Sequence, residues 1–262
     1  MRKEMIAAVM SAEMTVERIR DRYLDLLIRA LTNTIYEDPN EAPWGPAGFD
    51  AGARGDGSDW PRTAHTMIGR KRLENLRDCV RTVIADGVPG DLVETGAWRG
   101  GASILMRGVL AAHEETGRTV WVADSFAGLP PPDEERYPAD AGDRHHEVEF
   151  LAVPLEQVRA NFAKYDLLDD HVRFLPGWFR DTLPAAPIER LAVLRLDGDM
   201  YESTWDALIT LAPKVSPGGF VIVDDYHAVP GCKKAVDDYR TEHGIDAPIE
   251  TIDWAGVYWR MP

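Results

Sequence analysis

Four aspartates follow two apolar segments of the chain and carry the acid chemistry that the sequence offers. Asp197 and Asp199 come directly after the first segment, and Asp224 and Asp225 come directly after the second. If the two segments are neighbouring strands, their carboxyl ends meet at one edge of a sheet and bring the carboxylates together. Crowded carboxylates repel one another unless protons or a cation neutralise them, and their hard oxygens suit Mg²⁺ rather than Zn²⁺. We therefore predict a divalent-cation site built from Asp197, Asp224 and Asp225.

Asp199 lies two residues beyond Asp197, and we predict that it is a general base. An alcohol is a poor nucleophile at neutral pH, but a hydroxyl beside a bound cation loses its proton more readily. A neighbouring carboxylate can take that proton while the oxygen attacks a methyl group in line. His227, two residues after the acidic pair, is the candidate partner of this base. The alternative role for Asp199 and Asp225 is N-capping, because both precede helical segments and Asp is a favoured cap.

The segment ETGAWRGGAS (94–103) has the glycine spacing of a strand that turns into a helix. Gly96 follows the predicted strand, and Gly100 and Gly101 open the helix, so the backbone can approach a ligand. The spacing G-x-x-x-G-G departs from the G-x-G-x-x-G fingerprint of nicotinamide-binding proteins. Glu94 adds a negative charge, which disfavours a pyrophosphate and suits a cationic ligand such as S-adenosylmethionine. The alternative is a glycine turn that only packs a helix on a strand.

Asp124 ends the next apolar segment and supports a nucleoside ligand. An acid placed more than about twenty residues after the glycine turn can bind both ribose hydroxyls. Dehydrogenases and methyltransferases share this feature, so it does not decide between them. A P-loop is excluded because the sequence contains no glycine-lysine pair followed by Ser or Thr. Trp98 and Trp178 are candidates to pack against an adenine or a substrate, although aromatic residues near turns are more often structural.

The elements that position these residues alternate between strand and helix after Pro89. Helices are predicted between the apolar strand segments, which lie at 92–95, 120–124, 171–175, 191–196 and 219–223, with two closing strands at 249–253 and 256–260. Such alternation predicts a parallel sheet that is covered on both faces. The closing pair, with little sequence between its members, predicts one antiparallel strand at the end of that sheet. The predicted fold class is α/β, with a mostly parallel seven-stranded sheet.

Two helices and a long loop precede this alternation. Apolar residues at helical spacing predict a helix over 15–38, whose broad apolar face must pack on the main domain or on a second subunit. Proline and glycine residues over 39–62 predict a long loop, and loops of that length are usually lids or mobile segments. A second helix is predicted over 65–86. We therefore divide the chain into an N-terminal helical arm with its loop (1–62) and a main domain (63–262).

Composition limits the partners and the location of the protein. The chain has 44 acidic and 29 basic residues and a net charge of -15. Such a surface repels phosphate backbones, so we expect no nucleic-acid partner. We also expect no membrane partner and a cytoplasmic location, since the apolar stretches are too short for a membrane span and the N-terminal one too short for a secretory signal. Cys79 and Cys232 lack neighbours at zinc-binding spacing and are predicted to be inert thiols.

Six segments spread over nearly the whole chain form a specific set of motifs. They are LTNTIYEDP (31–39), TMIGRKRLENL (66–76), ETGAWRGGAS (94–103), ADSFAGLPPPD (123–133), LRLDGDMYEST (194–204) and VIVDDY (221–226). Together they resemble the macrocin O-methyltransferase family, whose members use S-adenosylmethionine and Mg²⁺ to methylate deoxysugar hydroxyls on finished antibiotics. In length and motif detail the chain is most similar to the noviose 4-O-methyltransferases of aminocoumarin pathways.

The resemblance implies a Rossmann-like class I methyltransferase fold and a role for each matching residue. It implies metal binding by Asp197, Asp224 and Asp225 and a catalytic role for Asp199. The cofactor contacts that it implies are Met67, Glu94, Thr95, Gly96, Ala97, Trp98, Asp124, Ser125, Phe126, Trp178 and Phe179.

The resemblance also implies a homodimer, a small glycoside as substrate, and mobile loops over that substrate, for which 39–62 and 127–149 are the counterparts. The predicted activity is therefore Mg²⁺-dependent O-methylation of a deoxysugar, best matched by the 4-hydroxyl of noviose. A macrolide-sugar methyltransferase, a catechol-type O-methyltransferase, a dehydrogenase and a non-catalytic binding protein stay open as alternatives. The N-terminal arm and long loops favour an acceptor larger than a catechol, and the glycine spacing disfavours a dehydrogenase.

Overall fold

A seven-stranded sheet forms the centre of the computed structural model, which describes residues 2–44 and 47–262 and, in the first helix, the side chains from residue 14 onward. In chain order the strands are β1 (Asp91–Thr95), β2 (Val120–Asp124), β3 (Val172–Pro176), β4 (Leu191–Leu196), β5 (Val215–Val223), β6 (Glu250–Thr251) and β7 (Val257–Arg260). Their order across the sheet is β3-β2-β1-β4-β5-β7-β6. Strands β1 to β5 are parallel, and β7 pairs antiparallel with β5 and β6. The predicted α/β fold with one antiparallel closing strand is confirmed.

Helices cover both faces of this sheet. Within the described residues they are α1 (Arg2–Leu31), α2 (Ala51–Asp56), α3 (Gly69–Ala85), α4 (Gly101–Ala112), α5 (Leu155–Lys164), α6 (Phe179–Thr182), α7 (Tyr201–Leu211) and α8 (Pro230–Glu242). Successive residues of a strand point to opposite faces. Leu92 of β1 accordingly packs in the core with α1, α3, α4 and α5. Its neighbour Val93 packs in a second core with α7 and α8.

The first helix differs from its predicted bounds at both ends. It begins upstream of the predicted start because residues 2–14 contain no proline or glycine and are rich in Ala, Met and Glu, which are good helix formers. It ends at Leu31, seven residues before the predicted end at residue 38. The Thr32 hydroxyl donates to the Ile28 carbonyl at 2.8 Å, and Asn33 adopts a φ of 48°, in the left-handed region where helices commonly end.

One face of α1 belongs to the main core. Leu24, Leu27, Ile28 and Leu31 are buried against α3 and α4. A Cβ added to Gly108 of α4 would lie 2.4 Å from Leu27 Cδ2, so the glycine permits this close contact between the helices. The division of the chain at residue 62 stays a prediction.

The predicted loop over 39–62 contains a short helix, α2, and is built around a buried arginine. Arg54 is 1% exposed, and its Nε and Nη2 atoms donate to the Asp59 carboxylate at 2.8–3.0 Å. Its Nη1 donates to the Thr32 carbonyl at 2.9 Å, and its Nη2 also donates to the Asp38 carbonyl at 2.7 Å. Six residues that include two glycines carry too weak a helical pattern to be recognised from sequence. Gly45 and Pro46 of this loop lie outside the described residues.

The parallel pairing brings the ends of four strands to one edge of the sheet. Beyond β1, Gly96 N–H donates to the Ala123 carbonyl at 2.8 Å. Asp197 N–H donates to the Thr95 carbonyl at 2.8 Å, and Asp224 N–H donates to the Leu196 carbonyl at 2.9 Å. The strand order reverses between β1 and β4, and ligands bind α/β sheets at such a reversal, outside the carboxyl ends of the strands.

Two further expectations concern the cysteines and membrane association. Both cysteines are buried, and burial raises the pKa of the Cys79 and Cys232 thiols, which makes them poor nucleophiles. Among the helices of the described chain, none combines the length and the apolar character needed to cross a bilayer.

Candidate active site

A cavity of about 390 Å³ lies at the reversal point of the sheet. Five of the eight tryptophans of the chain line it, from five separate segments. The predicted site residues that also line it are Met67, Glu94, Gly96, Ala97, Trp98, Asp124, Ser125, Trp178, Phe179, Asp197, Asp199, Asp224 and Asp225. Thr95, Phe126 and His227 lie outside this lining. The fold therefore brings thirteen of the sixteen predicted site residues to one cavity.

The glycine turn after β1 serves chain packing as well as the cavity. Gly96 has a φ of 88°, and a Cβ added there would lie 1.6 Å from the Asp197 carbonyl oxygen. A Cβ added to Gly101 would lie 2.4 Å from the His65 carbonyl oxygen. At these two positions glycine is required because another segment of backbone passes close by.

Asp124 braces the turn after β1 from the end of β2. Its Oδ2 accepts hydrogen bonds from the N–H groups of Ala97 at 2.6 Å and Trp98 at 3.2 Å, and its Oδ1 accepts one from Phe126 at 2.7 Å. Burial raises the pKa of Asp124, and these three donors oppose that rise. An ionised carboxylate offers about four acceptor positions, so roughly one remains for a ligand hydroxyl.

Glu94 does not carry an unpaired charge into the turn. It is 1% exposed, its Oε1 accepts from Arg195 Nη1 at 2.6 Å, and its Oε2 accepts from the Ser103 hydroxyl. Burial raises the pKa of Glu94, while Arg195 and Ser103 lower it. Sequence reasoning missed Arg195, although an arginine inside the otherwise apolar strand LAVLRL was a usable signal. Such a residue is almost never buried without partners.

Arg195 and a second arginine hold the acid cluster together. Arg195 donates through Nη1 to Asp197 Oδ2 at 2.8 Å and through Nη2 to Asp224 Oδ1. Arg72 of α3 donates to Asp224 Oδ2, and its Nε donates to Asp253 Oδ2 at 3.0 Å. Burying these carboxylates without partners would cost several kcal/mol each, so the two guanidinium groups are a condition for the cluster to form.

The three predicted metal ligands converge. One ligand atom each from Asp197, Asp224 and Asp225 can be chosen so that all lie within 4.8 Å of one another. Burial and the charge of Asp224 raise the pKa of Asp197 to about 8, although Arg195 opposes the rise. Burial raises the pKa of Asp225, and the charges of Asp199 and Asp197 raise it further. Asp225 Oδ2 is buried and has no hydrogen-bond partner in the structure, so the cluster has unused capacity to bind a cation.

N-capping, the alternative role for Asp199 and Asp225, does not occur. The N-cap residue of α7 is Met200 and that of α8 is Val229, and neither helix receives a side-chain cap from its own N-cap position. Asp199 has a φ of 55°, a conformation that Asp tolerates better than most residues, and it lines the cavity. Burial raises its pKa, and His145 lowers it.

The structure brings a different histidine to Asp199 from the one predicted. His227 is exposed, its ring lies edge-on to Tyr226 with centroids 5.0 Å apart, and it is absent from the cavity lining. His145 lines the cavity, and its Nδ1 lies 2.7 Å from Asp143 Oδ2. Burial lowers the pKa of His145, but the charge of Asp199 and the bond to Asp143 outweigh burial and raise it. His145 was not among the predicted site residues, because nothing local in the sequence marks its contact with a strand end.

An aromatic group joins the two loops that border the cavity. Trp60 stacks on Phe150 with ring centroids 5.1 Å apart, and Trp44 packs edge-on to Trp60 at 4.7 Å. The Trp98 indole N–H donates to the Phe150 carbonyl at 2.9 Å. Trp98 therefore has a structural contact in addition to its place in the cavity.

Comparison with known proteins agrees with this geometry. The model of the macrocin-O-methyltransferase (TylF) family matches residues 20–261. The 8-demethyl-8-(2,3-dimethoxy-alpha-L-rhamnosyl)-tetracenomycin-C 4'-O-methyltransferase of Streptomyces olivaceus is 61% identical over 246 residues, which cover 93% of this chain and 94% of that protein. The demethyldecarbamoylnovobiocin O-methyltransferase of Streptomyces niveus is 59% identical over 245 residues, with coverages of 91% and 92%.

A solved structure supports the same assignment. The O-methyltransferase NovP has a TM-score of 0.89 to this chain at 58% sequence identity, and the match covers 92% of this chain and 99% of NovP. The family match spans the glycine turn, both acid pairs and every lining residue of the cavity. The chain therefore belongs to the macrocin-O-methyltransferase (TylF) family, and it is an O-methyltransferase.

Proposed function

We propose that this enzyme transfers the methyl group of S-adenosylmethionine to a deoxysugar hydroxyl of a glycosylated antibiotic precursor, with Mg²⁺ bound beside that hydroxyl. The observation that carries the proposal is the convergence of Asp197, Asp224 and Asp225 next to the glycine turn. The two relatives are named for a rhamnosyl tetracenomycin and for a novobiocin precursor, which supports a sugar-bearing acceptor. The acceptor that we favour is the 4-hydroxyl of noviose in an aminocoumarin precursor.

The acid cluster fits a hard divalent cation. All three groups offer carboxylate oxygens, the ligand type that Mg²⁺ prefers, and the partnerless Oδ2 of Asp225 would gain a partner. Bound Mg²⁺ would supply the positive charge that favours a deprotonated hydroxyl, and bound S-adenosylmethionine would supply the methyl group. Arg195 and Arg72 keep the Asp224 carboxylate in place through both of its oxygens.

Asp199 is the residue to which we assign the proton of the acceptor hydroxyl. It lines the cavity two residues beyond Asp197 and has no capping role. Burial raises its pKa, which strengthens it as a base, and the nearby His145 favours the charged carboxylate that must accept the proton. We therefore assign to His145 the role of partner to the base, which the sequence analysis had predicted for His227.

The two halves of the cavity suit two ligands. We assign S-adenosylmethionine to the ends of β1, β2 and β3, with Met67, Glu94, Gly96, Ala97, Trp98, Asp124, Ser125, Trp178 and Phe179 as contacts. Thr95 and Phe126 support these contacts through their backbones, since the Thr95 carbonyl binds Asp197 N–H and Phe126 N–H binds Asp124. We assign the acceptor to the rim, where Trp44 and Trp254 line the cavity and are each 53% exposed.

A homodimer is the assembly that we propose, and the second face of α1 supports it. Val16, Ile19, Tyr23 and Leu26 recur at spacings of three and four residues and are 39–60% exposed. Leu24, Leu27 and Ile28, on the neighbouring face, already pack on the core. A helix that is apolar on two faces has surface to bury against a partner, and this spacing is the one by which helices pair.

The proposed activity predicts methyl transfer that depends on Mg²⁺. We expect transfer from labelled S-adenosylmethionine to a noviosyl aminocoumarin in the presence of Mg²⁺ and loss of that transfer with EDTA, because removing the cation removes the positive charge that favours the deprotonated hydroxyl. The assay compares this acceptor with a macrolide glycoside and a simple catechol. Transfer only to the macrolide glycoside would keep the sugar and change the aglycone, whereas a preference for the catechol would contradict the proposal.

Substitutions at two acids separate the base from the cation site. Asp199→Asn should keep Mg²⁺ and S-adenosylmethionine binding but lower kcat by about 10²- to 10⁴-fold, because it removes only the proton acceptor. Asp224→Ala should weaken Mg²⁺ binding itself. Calorimetric titrations and initial rates measure both effects. An Asp199→Asn enzyme that retains most of its turnover would show that another group is the base.

The raised pKa of Asp197 predicts a pH dependence of stability. Burial and Asp224 raise this pKa to about 8, above the unfolded value of ~3.9, so the group binds its proton more tightly when the protein is folded. Its contribution is present in full below about pH 4 and is lost as the pH rises to about 8. Cation binding requires the deprotonated form, so Mg²⁺ should raise Tm more at about pH 8.5 than at about pH 6. Asp197→Asn is the control, and equal Tm increments at both pH values in the unsubstituted protein would oppose the prediction.

The exposed face of α1 predicts a dimer that a charged substitution breaks. Ile19→Glu combined with Leu26→Glu should weaken association at least about tenfold, because each change removes a buried apolar side chain and buries a charge. Light scattering across a dilution series measures the mass. Arg18→Glu, at an exposed position of the same helix that is not three or four residues from any member of the apolar stripe, is the control. Monomers in the unsubstituted protein at all concentrations would exclude the proposed assembly.

A further inference from the structure

The segment 127–151, which we call the covering segment, is attached to the rest of the protein at two points. Near its C-terminal end, Phe150 stacks on Trp60 and accepts a hydrogen bond from Trp98. Nearer its middle, Asp140 lies in a short 3-10 turn and is 3% exposed. His145, which lines the cavity, lies between these two attachments.

Asp140 caps the helix that follows the proposed base. Its Oδ1 accepts a hydrogen bond from Tyr201 N–H at 2.6 Å, and its Oδ2 accepts one from Glu202 N–H at 2.9 Å. These are the first two residues of α7, whose own N-cap residue, Met200, makes no side-chain capping hydrogen bond. The N–H groups of a first helical turn need acceptors, and a carboxylate there also interacts favourably with the helix dipole. The cap of α7 thus comes from a residue 61 positions away in the sequence.

The start of a third element closes around this contact. A Cβ added to Gly231, in the first turn of α8, would lie 2.8 Å from Asp140 Oδ1 and 3.0 Å from Tyr201 N. The ring of Tyr137, also in the covering segment, lies 5.8 Å from that of Tyr201. Glycine at position 231 therefore leaves the space that the Asp140 carboxylate occupies. The contact between Asp140 and the start of α7 is packed against the first turn of α8 and against Tyr137.

The contact links two groups that line the cavity, Asp199 and His145. Asp199 precedes Tyr201 by two residues, and the chain between β4 and α7 is held at its other end by the Asp197 N–H to Thr95 carbonyl bond of 2.8 Å. His145 follows Asp140 by five residues and is fixed by Asp143 at 2.7 Å. The position of the covering segment, and with it His145, is thereby tied to the backbone that carries Asp199.

We propose that Asp140 is a positioning residue for methyl transfer, which holds the covering segment on the N-terminus of α7 so that His145 and Asp199 face the acceptor together. The inference rests on the proposed role of Asp199 as the base. A cap from within the α7 sequence would stabilise the helix whatever the covering segment did. A cap supplied by the covering segment is present only while that segment lies over the cavity, so closing the segment and ordering the start of α7 are one event.

The test compares Asp140→Ala with the conservative Asp140→Asn in the full-length enzyme. Asp140→Ala should lower kcat by about tenfold, since a lost cap leaves the closed arrangement less populated, while Mg²⁺ affinity should stay within about twofold. Trypsin should cut the alanine variant faster at Arg136 and Arg144, the exposed arginines on either side of Asp140. Asp140→Asn keeps an amide oxygen as acceptor and should recover part of both losses.

A matched control separates positioning from general stability. Asp169 also accepts a hydrogen bond from a backbone N–H, that of His171 at 3.0 Å, and it pairs with Arg107. It lies just before the amino end of β3, whereas the cavity lies at the carboxyl ends of the strands. Asp169→Ala should lower Tm without changing kcat or cleavage at Arg136 and Arg144. Equal kcat losses in the two alanine variants, or unchanged cleavage in Asp140→Ala, would overturn the inference.

Two arrangements keep the test decisive. If Asp140→Ala does not fold, Gly231→Ala perturbs the same contact through a methyl group placed against the carboxylate, and the same expectations apply. The trypsin measurement needs no acceptor, so it tests the attachment even if the enzyme methylates a different compound. Failure of the proposed function would appear instead as absent transfer by the unsubstituted enzyme across the acceptor panel.

Discussion

The site depends on one buried cation, the guanidinium of Arg195. It is 1% exposed, lies at the centre of the sheet, and bonds to Glu94 of β1, Asp197 after β4 and Asp224 after β5. Removing one partner from a buried ion pair typically costs roughly 3–5 kcal/mol, because an uncompensated charge is left in a medium of low polarity. Three strand ends could not carry carboxylates into one buried cavity without this common partner. The glycine turn and the acid cluster are therefore parts of a single electrostatic unit.

Two further arginines extend this arrangement to the segments that precede the sheet. Arg72 binds Asp224 and Asp253 and also donates to the Gly57 carbonyl at 3.1 Å, which ties α3 and the end of α2 to the acid cluster. Arg54 likewise holds together the loop that carries Trp44 and Trp60, because it bonds to Asp59 and to two backbone carbonyls. A chain with a net charge of -15 thus uses buried arginines as the fixed points around which its acidic residues and its loops are ordered.

The strand ends and the rim of the cavity differ in how they are held, and this difference separates the proposed chemistry from the proposed selection of the acceptor. The strand ends that carry the acids are held by backbone ladders on both sides, so their geometry is common to any acceptor. The rim is formed by segments held through side chains: the loop around Arg54, the covering segment, and the turn that carries Trp254, whose indole N–H donates to the Asp56 carbonyl at 2.8 Å. Selection of the acceptor is expected at this rim, because loops can change there without disturbing the sheet.

The sequence alone determined the α/β fold and the order of its strands along the chain, and it indicated thirteen of the residues that line the cavity. Buried parallel strands appear as continuous apolar runs, and the acids and glycines directly after them mark the edge where ligands bind. Only the tertiary structure decided that Arg195 joins Glu94 to the acid cluster, that His145 and not His227 approaches Asp199, and that Asp140 caps α7. The physical reason is that each of these depends on contacts between side chains and segments far apart in the chain, whereas local periodicity carries information only about neighbours.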